Sequence, residues 1–145
     1  MKPVRRIVCA DDADGKSRAI ADGPAPDVLT DPAHPGFSST FIWATDATPA
    51  RTDGDPPRVL APPPGGSLCR ILTFPPERAP HPGTQEARTL DFCLILEGEI
   101  TLVLDAEEVE LRAGDTVVQR GTRHVWRNRS GAPCVIAISS HDATY

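Results

Sequence analysis

The chain has 145 residues, a net charge of −5 and a pI near 5.3. That is one domain's length, enough to bury a core without disulfides or structural metal. The arginines are scattered among acidic residues, which excludes the clustered basic face that nucleic acid requires. No apolar run reaches membrane-span length. The start, Met1-Lys2-Pro3-Val4-Arg5-Arg6, lacks the apolar stretch and cleavage site of a signal peptide. The expected location is cytoplasmic, with no nucleic-acid and no membrane partner.

Sixteen prolines and eleven glycines suit short strands joined by turns. Residues 1–66 are rich in Pro, Asp, Ala and Gly. Val4–Cys9 and Ser38–Trp43 are the only strands expected there, with loops over Ala21–Pro26, Asp31–Gly36 and Thr45–Gly66. This half reads as an arm packing on a barrel formed by residues 67–145. Strands are expected at Ser67–Phe74, Leu90–Leu96, Glu99–Leu104, Glu108–Arg112, Thr116–Gln119, His124–Asn128 and Cys134–Ser139. Turn residues such as Ala113-Gly114-Asp115 and Ser130-Gly131-Ala132-Pro133 separate them. This regular spacing predicts an all-β sandwich or barrel without helices.

The four cysteines, Cys9, Cys69, Cys93 and Cys134, form no C-x-x-C pair. Their default role is that of small hydrophobes.

Three segments carry a family resemblance. Leu90-Asp91-Phe92-Cys93-Leu94-Ile95-Leu96-Glu97-Gly98-Glu99-Ile100 resembles the end of the first cupin motif. Leu111-Arg112-Ala113-Gly114-Asp115 resembles the turn that opens the second. Gln119-Arg120-Gly121-Thr122-Arg123-His124-Val125-Trp126-Arg127-Asn128 has the second motif's spacing of Gly, His and Asn. Residues 65–140 are thus similar to small single-domain cupins of bacteria and fungi. The resemblance implies a double-stranded β-helix, a jelly-roll barrel, with an extended N-terminal arm. It also implies a homodimer, in which the Val4–Cys9 strand could be exchanged.

Cupins typically hold a metal with His-x-His, a Glu and a later His. Carried over by position, the Glu falls on Asp91 and the last His on His124. The first two positions fall near Gln85 and Glu86, and the nearest imidazole, His81, lies several residues earlier. The cofactor expectation is therefore none, or one divalent metal ion held by His81, His124 and Asp91 or Glu86, a two-His-one-carboxylate pattern. The alternative for His81 is an exposed loop residue.

Strand residues alternate sides. An inward Asp91 brings Cys93 and Ile95 inward. An inward His124 does the same for Trp126 and Asn128. Asp91 and His124 then form a candidate acid/base pair, or a buried structural pair that satisfies itself. Glu86 and Gln85 could add an acid and an amide at the mouth. Trp126 reads as wall. Arg70 would anchor a carboxylate or phenolate if its strand turns it inward. Trp43 covers the barrel mouth or packs on an edge strand.

Three functions compete. The first is a small-molecule enzyme using acid/base chemistry: a dehydratase, cyclase, isomerase or decarboxylase of an aromatic or polyketide-like metabolite. The second is a metal-dependent cupin such as a dioxygenase. The third is a non-catalytic small-molecule-binding cupin.

Overall fold

Alternation within single strands decides the architecture. Across Thr89–Glu97, Asp91, Cys93 and Ile95 are buried while Phe92, Leu94 and Leu96 are exposed. Across Cys134–Asp142, Cys134, Ile136, Ile138 and Ser140 are buried in the same rhythm. Each such strand must lay one face on a core and leave the other outside.

The computed structural model describes residues 2–77, 85–86 and 88–144, and among these there is no helix. Consequently no helix is long and apolar enough to cross a membrane. Twelve strands occur among the described residues: β1 (Arg5–Asp11), β2 (Ser17–Pro24), β3 (Val28–Thr30), β4 (Ser38–Thr45), β5 (Ser67–Phe74), β6 (Gln85–Glu86), β7 (Thr89–Glu97), β8 (Glu99–Val103), β9 (Glu108–Arg112), β10 (Thr116–Arg120), β11 (Arg123–Arg127) and β12 (Cys134–Asp142). A six-stranded sheet runs β10-β7-β12-β5-β4-β3. A four-stranded sheet runs β6-β11-β8-β9. β1 and β2 form a separate hairpin.

The inner face of the large sheet reads in cross-strand rows. Gln119, Asp91, Ser140, Leu68 and Ala44 make one row. Val117, Cys93, Ile138, Arg70 and Phe41 make the next. Ile95, Ile136, Leu72 and Ser39 make the third. The small sheet contributes Ile100, Leu102 and Leu111, and these pack with Cys93, Ile95, Ile136 and Ile138 into the core. Each fully buried aliphatic side chain contributes roughly 1.5–3 kcal/mol.

Two turns depend on glycine. Gly98, at φ +80°, joins β7 to β8, and a Cβ there would lie 2.4 Å from the Pro133 carbonyl oxygen. Gly121, at φ +67°, turns β10 into β11. Both positions need a backbone that L side chains rarely adopt.

The first half of the chain is more ordered than an arm of loops. β2 covers Ala21–Pro24, where a loop was expected, and pairs with β1. Asp12 makes the turn: its Oδ1 accepts the amides of Asp14 and Lys16, and Gly15 sits at φ +75°. β3 and β4 extend the large sheet beside β5. Residues 28–45 are therefore part of the barrel's own sheet, and the boundary at residue 66 does not separate arm from barrel. Among the described residues β1 pairs with β2 alone.

Candidate functional site

His124 is buried on β11, and its Nδ1 lies 2.8 Å from the Thr122 carbonyl oxygen. A carbonyl only accepts, so Nδ1 carries the proton and Nε2 carries the ring's lone pair. The Trp126 ring meets the imidazole edge-on, with centroids 6.0 Å apart. Trp126 is half-buried and packs against the core.

Asp91 is buried on β7, and its Oδ1 accepts the Thr89 hydroxyl at 2.7 Å. Asp91 and His124 do not bond to one another. Neither the self-satisfied pair nor a direct acid/base hydrogen bond is formed. Beside Asp91 stands Gln119, which was not among the expected site residues. It stands opposite Asp91 across the β10–β7 ladder, and its Oε1 accepts the Thr122 hydroxyl. Its Nε2 is buried and has no hydrogen-bond partner. Hydrogen bonds thus join Thr89 to Asp91 and, separately, Gln119 to Thr122 and Thr122 to His124. The signal for Gln119 was available. It lies two residues from Val117 on an alternating strand, and it pairs with a residue already expected to point inward.

Arg70 faces inward, in the same row as Ile138 and Cys93. Burial lowers its pKa from the ordinary guanidinium value, and the charges of Asp91 and Cys93 oppose that shift. Its Nε is buried and unbonded. A cavity of about 350 Å³ opens beside it, lined also by Phe41, Leu68 and Leu60. Neither Asp91 nor His124 lines this cavity, so the polar cluster and the cavity adjoin through Arg70.

Cys93 and Ile95 point inward as expected and belong to the core. Burial pushes the Cys93 thiol up to about 12, with the Asp91 charge adding to the shift. A thiol held in that state is not a nucleophile at neutral pH.

Two expectations are corrected. Asn128 is buried, but its side chain is fully committed to backbone and turn. Nδ2 donates to the Phe74 and Ala132 carbonyls, and Oδ1 accepts from the Ser130 amide and hydroxyl. No polar atom remains for a ligand. Trp43 does not cover the mouth. A bulge between Phe41 and Trp43 pairs Trp43 with Cys69, on the face opposite Arg70, where Arg6 stacks 5.8 Å from its ring centroid.

Glu86 and Gln85 are described only as backbone. The β11–β6 register sets Gln85 opposite His124 and Glu86 opposite Arg123. Among the described residues no three His, Cys, Asp or Glu side chains form a group that could hold a metal ion. The expected third ligand, His81, lies outside the described residues. Asp91 and His124 supply two suitable donors and do not complete a set by themselves.

A family model for the cupin domain matches residues 70–140. The chain belongs to the cupin superfamily. This cupin shares its fold with a Cupin 2 conserved barrel domain protein from Salinispora arenicola CNS-205. That structure is 18% identical, with a TM-score of 0.52 over 74% of this chain and 76% of the other. Curated relatives are fungal. The phomopsin biosynthesis cluster protein C' of Diaporthe leptostromiformis is 47% identical over 70 residues, covering 46% of this chain and 35% of that protein. The cupin-domain-containing oxidoreductase virC of Hypocrea virens is 35% identical over 104 residues, covering 64% of this chain and 51% of that protein. The chain spans between about a third and a half of the length of these relatives.

Proposed function

We propose that this cupin is a small-molecule enzyme that works by proton transfer inside the barrel. The observation that carries the reading is the buried His124 imidazole, whose Nδ1–H is fixed by the Thr122 carbonyl. That bond leaves the Nε2 lone pair available to take a proton from an acidic C–H or O–H of the substrate. The resulting imidazolium keeps its bond to Thr122 and returns the proton at a different atom. Removal and return at two carbons is an isomerisation. Return to a departing oxygen is a dehydration. Asp91, on the large sheet, serves as the second proton-carrying group. The likeness to proteins named for fungal biosynthesis clusters supports a metabolite substrate, of aromatic or polyketide-like type.

A second reading is oxidative. It is favoured by the printed name of the 35%-identical relative, an oxidoreductase. In that reading Asp91 and His124 act as ligands, with His81 or Glu86 completing the set around a divalent metal, and the metal supplies the redox chemistry.

The test has two parts. Turnover of a panel of hydroxylated aromatic and polyketide-like acids and lactones is followed by mass spectrometry for wild type, His124→Ala and Asp91→Asn. The acid/base reading expects a loss of about 10²–10⁴-fold in His124→Ala with the fold kept. Full activity in either variant sinks it. Elemental analysis of the purified protein decides between the readings. Near-stoichiometric metal that is lost in an Asp91→Ala, His124→Ala double variant favours the oxidative one.

A further inference from the structure

Arg70 has a cation's chemistry without a cation's partners. It sits on the inner face of the large sheet, between Leu68 and Leu72, both buried. No carboxylate lies within ion-pair distance of it among the described residues, and its Nε donates to nothing. The other arginine of the adjoining cavity, Arg58, is paired with Asp27 at 2.9 Å. Placing a guanidinium among apolar side chains without a counter-ion is unfavourable. An anion bound beside it would remove that penalty.

The cavity has the complementary shape. Its walls are mostly apolar, from Phe41, Val59, Leu60 and Leu68, with Ser39, Arg70 and the mutually paired Asp27 and Arg58 as the polar points. At about 350 Å³ it is the size of a small-molecule site. Because no acceptor among the described residues holds Nε, the guanidinium can turn its Nε–Nη edge toward a ligand. That edge presents two parallel N–H donors, which match the two oxygens of a carboxylate.

We propose that the Arg70 cavity binds the carboxylate of a small apolar acid, with the hydrocarbon part against Phe41 and Leu68. This assigns a substrate class to the barrel and so rests on the reading of it as a small-molecule enzyme. The carboxylate is held at Arg70, one of the residues that line the cavity.

The test is binding, which does not depend on turnover. Calorimetric titration with phenylacetate is compared with its neutral isostere, phenylacetamide. Saturable phenylacetate binding is expected, with the amide at least about tenfold weaker. Arg70→Met is expected to bind both equally weakly, and Arg70→Lys to recover part of the preference. Equal affinity of the two probes for the wild type overturns the proposal, as does the absence of saturable phenylacetate binding. Arg70→Met binding phenylacetate as the wild type does would overturn it as well. If Arg70→Met does not fold, the wild-type comparison of the two probes decides. His124→Ala is expected to keep phenylacetate binding. Loss of turnover there with binding intact separates a failure of this assignment from a failure of the proton-transfer reading.

Discussion

Gln119 faces Asp91 directly across the β7–β10 ladder and bonds through its amide oxygen to the Thr122 hydroxyl, leaving its amide nitrogen buried and unpaired. An unpaired buried donor costs about 1–3 kcal/mol, roughly offsetting what the Thr122 bond contributes. Gln119→Met should therefore change stability by no more than about 1 kcal/mol in urea unfolding. Turnover should fall by about tenfold or more, because Thr122, whose carbonyl orients His124, loses the partner of its hydroxyl. A marked loss of stability with turnover unchanged would make Gln119 a purely structural residue.

The cysteines should divide by burial. Cys9 is exposed, whereas Cys93 and Cys134 are buried. A thiol reagent on the native protein should label Cys9 promptly and reach Cys93 and Cys134 only on unfolding. Burial holds Cys93 up to about 12 and Cys134 up to about 11, against the ordinary 9.0. Above pH 9.0 the unfolded thiols lose protons that the folded ones keep. The unfolded state then binds fewer protons, so stability falls as pH rises. Melting temperature should decline above that pH, and the decline should flatten in a Cys93→Val, Cys134→Val variant.

Asn128, just after β11, clamps the turn before β12 to the end of β5. Removing its side chain strands the Phe74 and Ala132 carbonyls that its amide nitrogen serves. Asn128→Ala should cost about 2–4 kcal/mol in urea unfolding. Asn128→Asp should be nearly as harmful, since a carboxylate cannot donate to either carbonyl. An effect on catalysis at unchanged stability would contradict the clamp.

The outer face of β7 and β10 carries Phe92, Leu94, Leu96 and Val118, which are 43%, 45%, 50% and 61% exposed. Val118 stands opposite Phe92, and Leu94 and Leu96 follow Phe92 on the same face of β7. A contiguous apolar patch of this kind favours association, and the proposed partner is a second copy of the chain. Light scattering should give a dimer, and Leu94→Glu should give a monomer with its barrel intact. A monomeric wild type would refute this.

Legibility in the sequence followed strand geometry. From Ser67 onward apolar residues alternate between turns, so the strands and the inward positions of Asp91, Cys93 and His124 were readable. β2 was not, because Ser-Arg-Ala-Ile-Ala-Asp-Gly-Pro has little intrinsic strand preference; it exists because the Asp12–Lys16 turn folds it onto β1. The face of Trp43 was not readable, because one bulge inverts alternation without marking the sequence. Asn128 was expected to line the site because alternation reports a face and not the destination of a side chain's hydrogen bonds. The Asp91–His124 relationship needed the register of β10, which sets Gln119 beside Asp91.

β12 lies between β5 and β7, at the middle of the large sheet. Its Pro133–Cys134 approach also closes over Gly98, the turn between β7 and β8. During synthesis the two halves of this sheet emerge with the slot between them vacant. Both Asp91 and Arg70 border that slot, so the polar cluster and the cavity reach their relative positions only once Cys134–Asp142 slides in. Assembly of the site and completion of the barrel are one event, governed by contacts between distant parts of the chain.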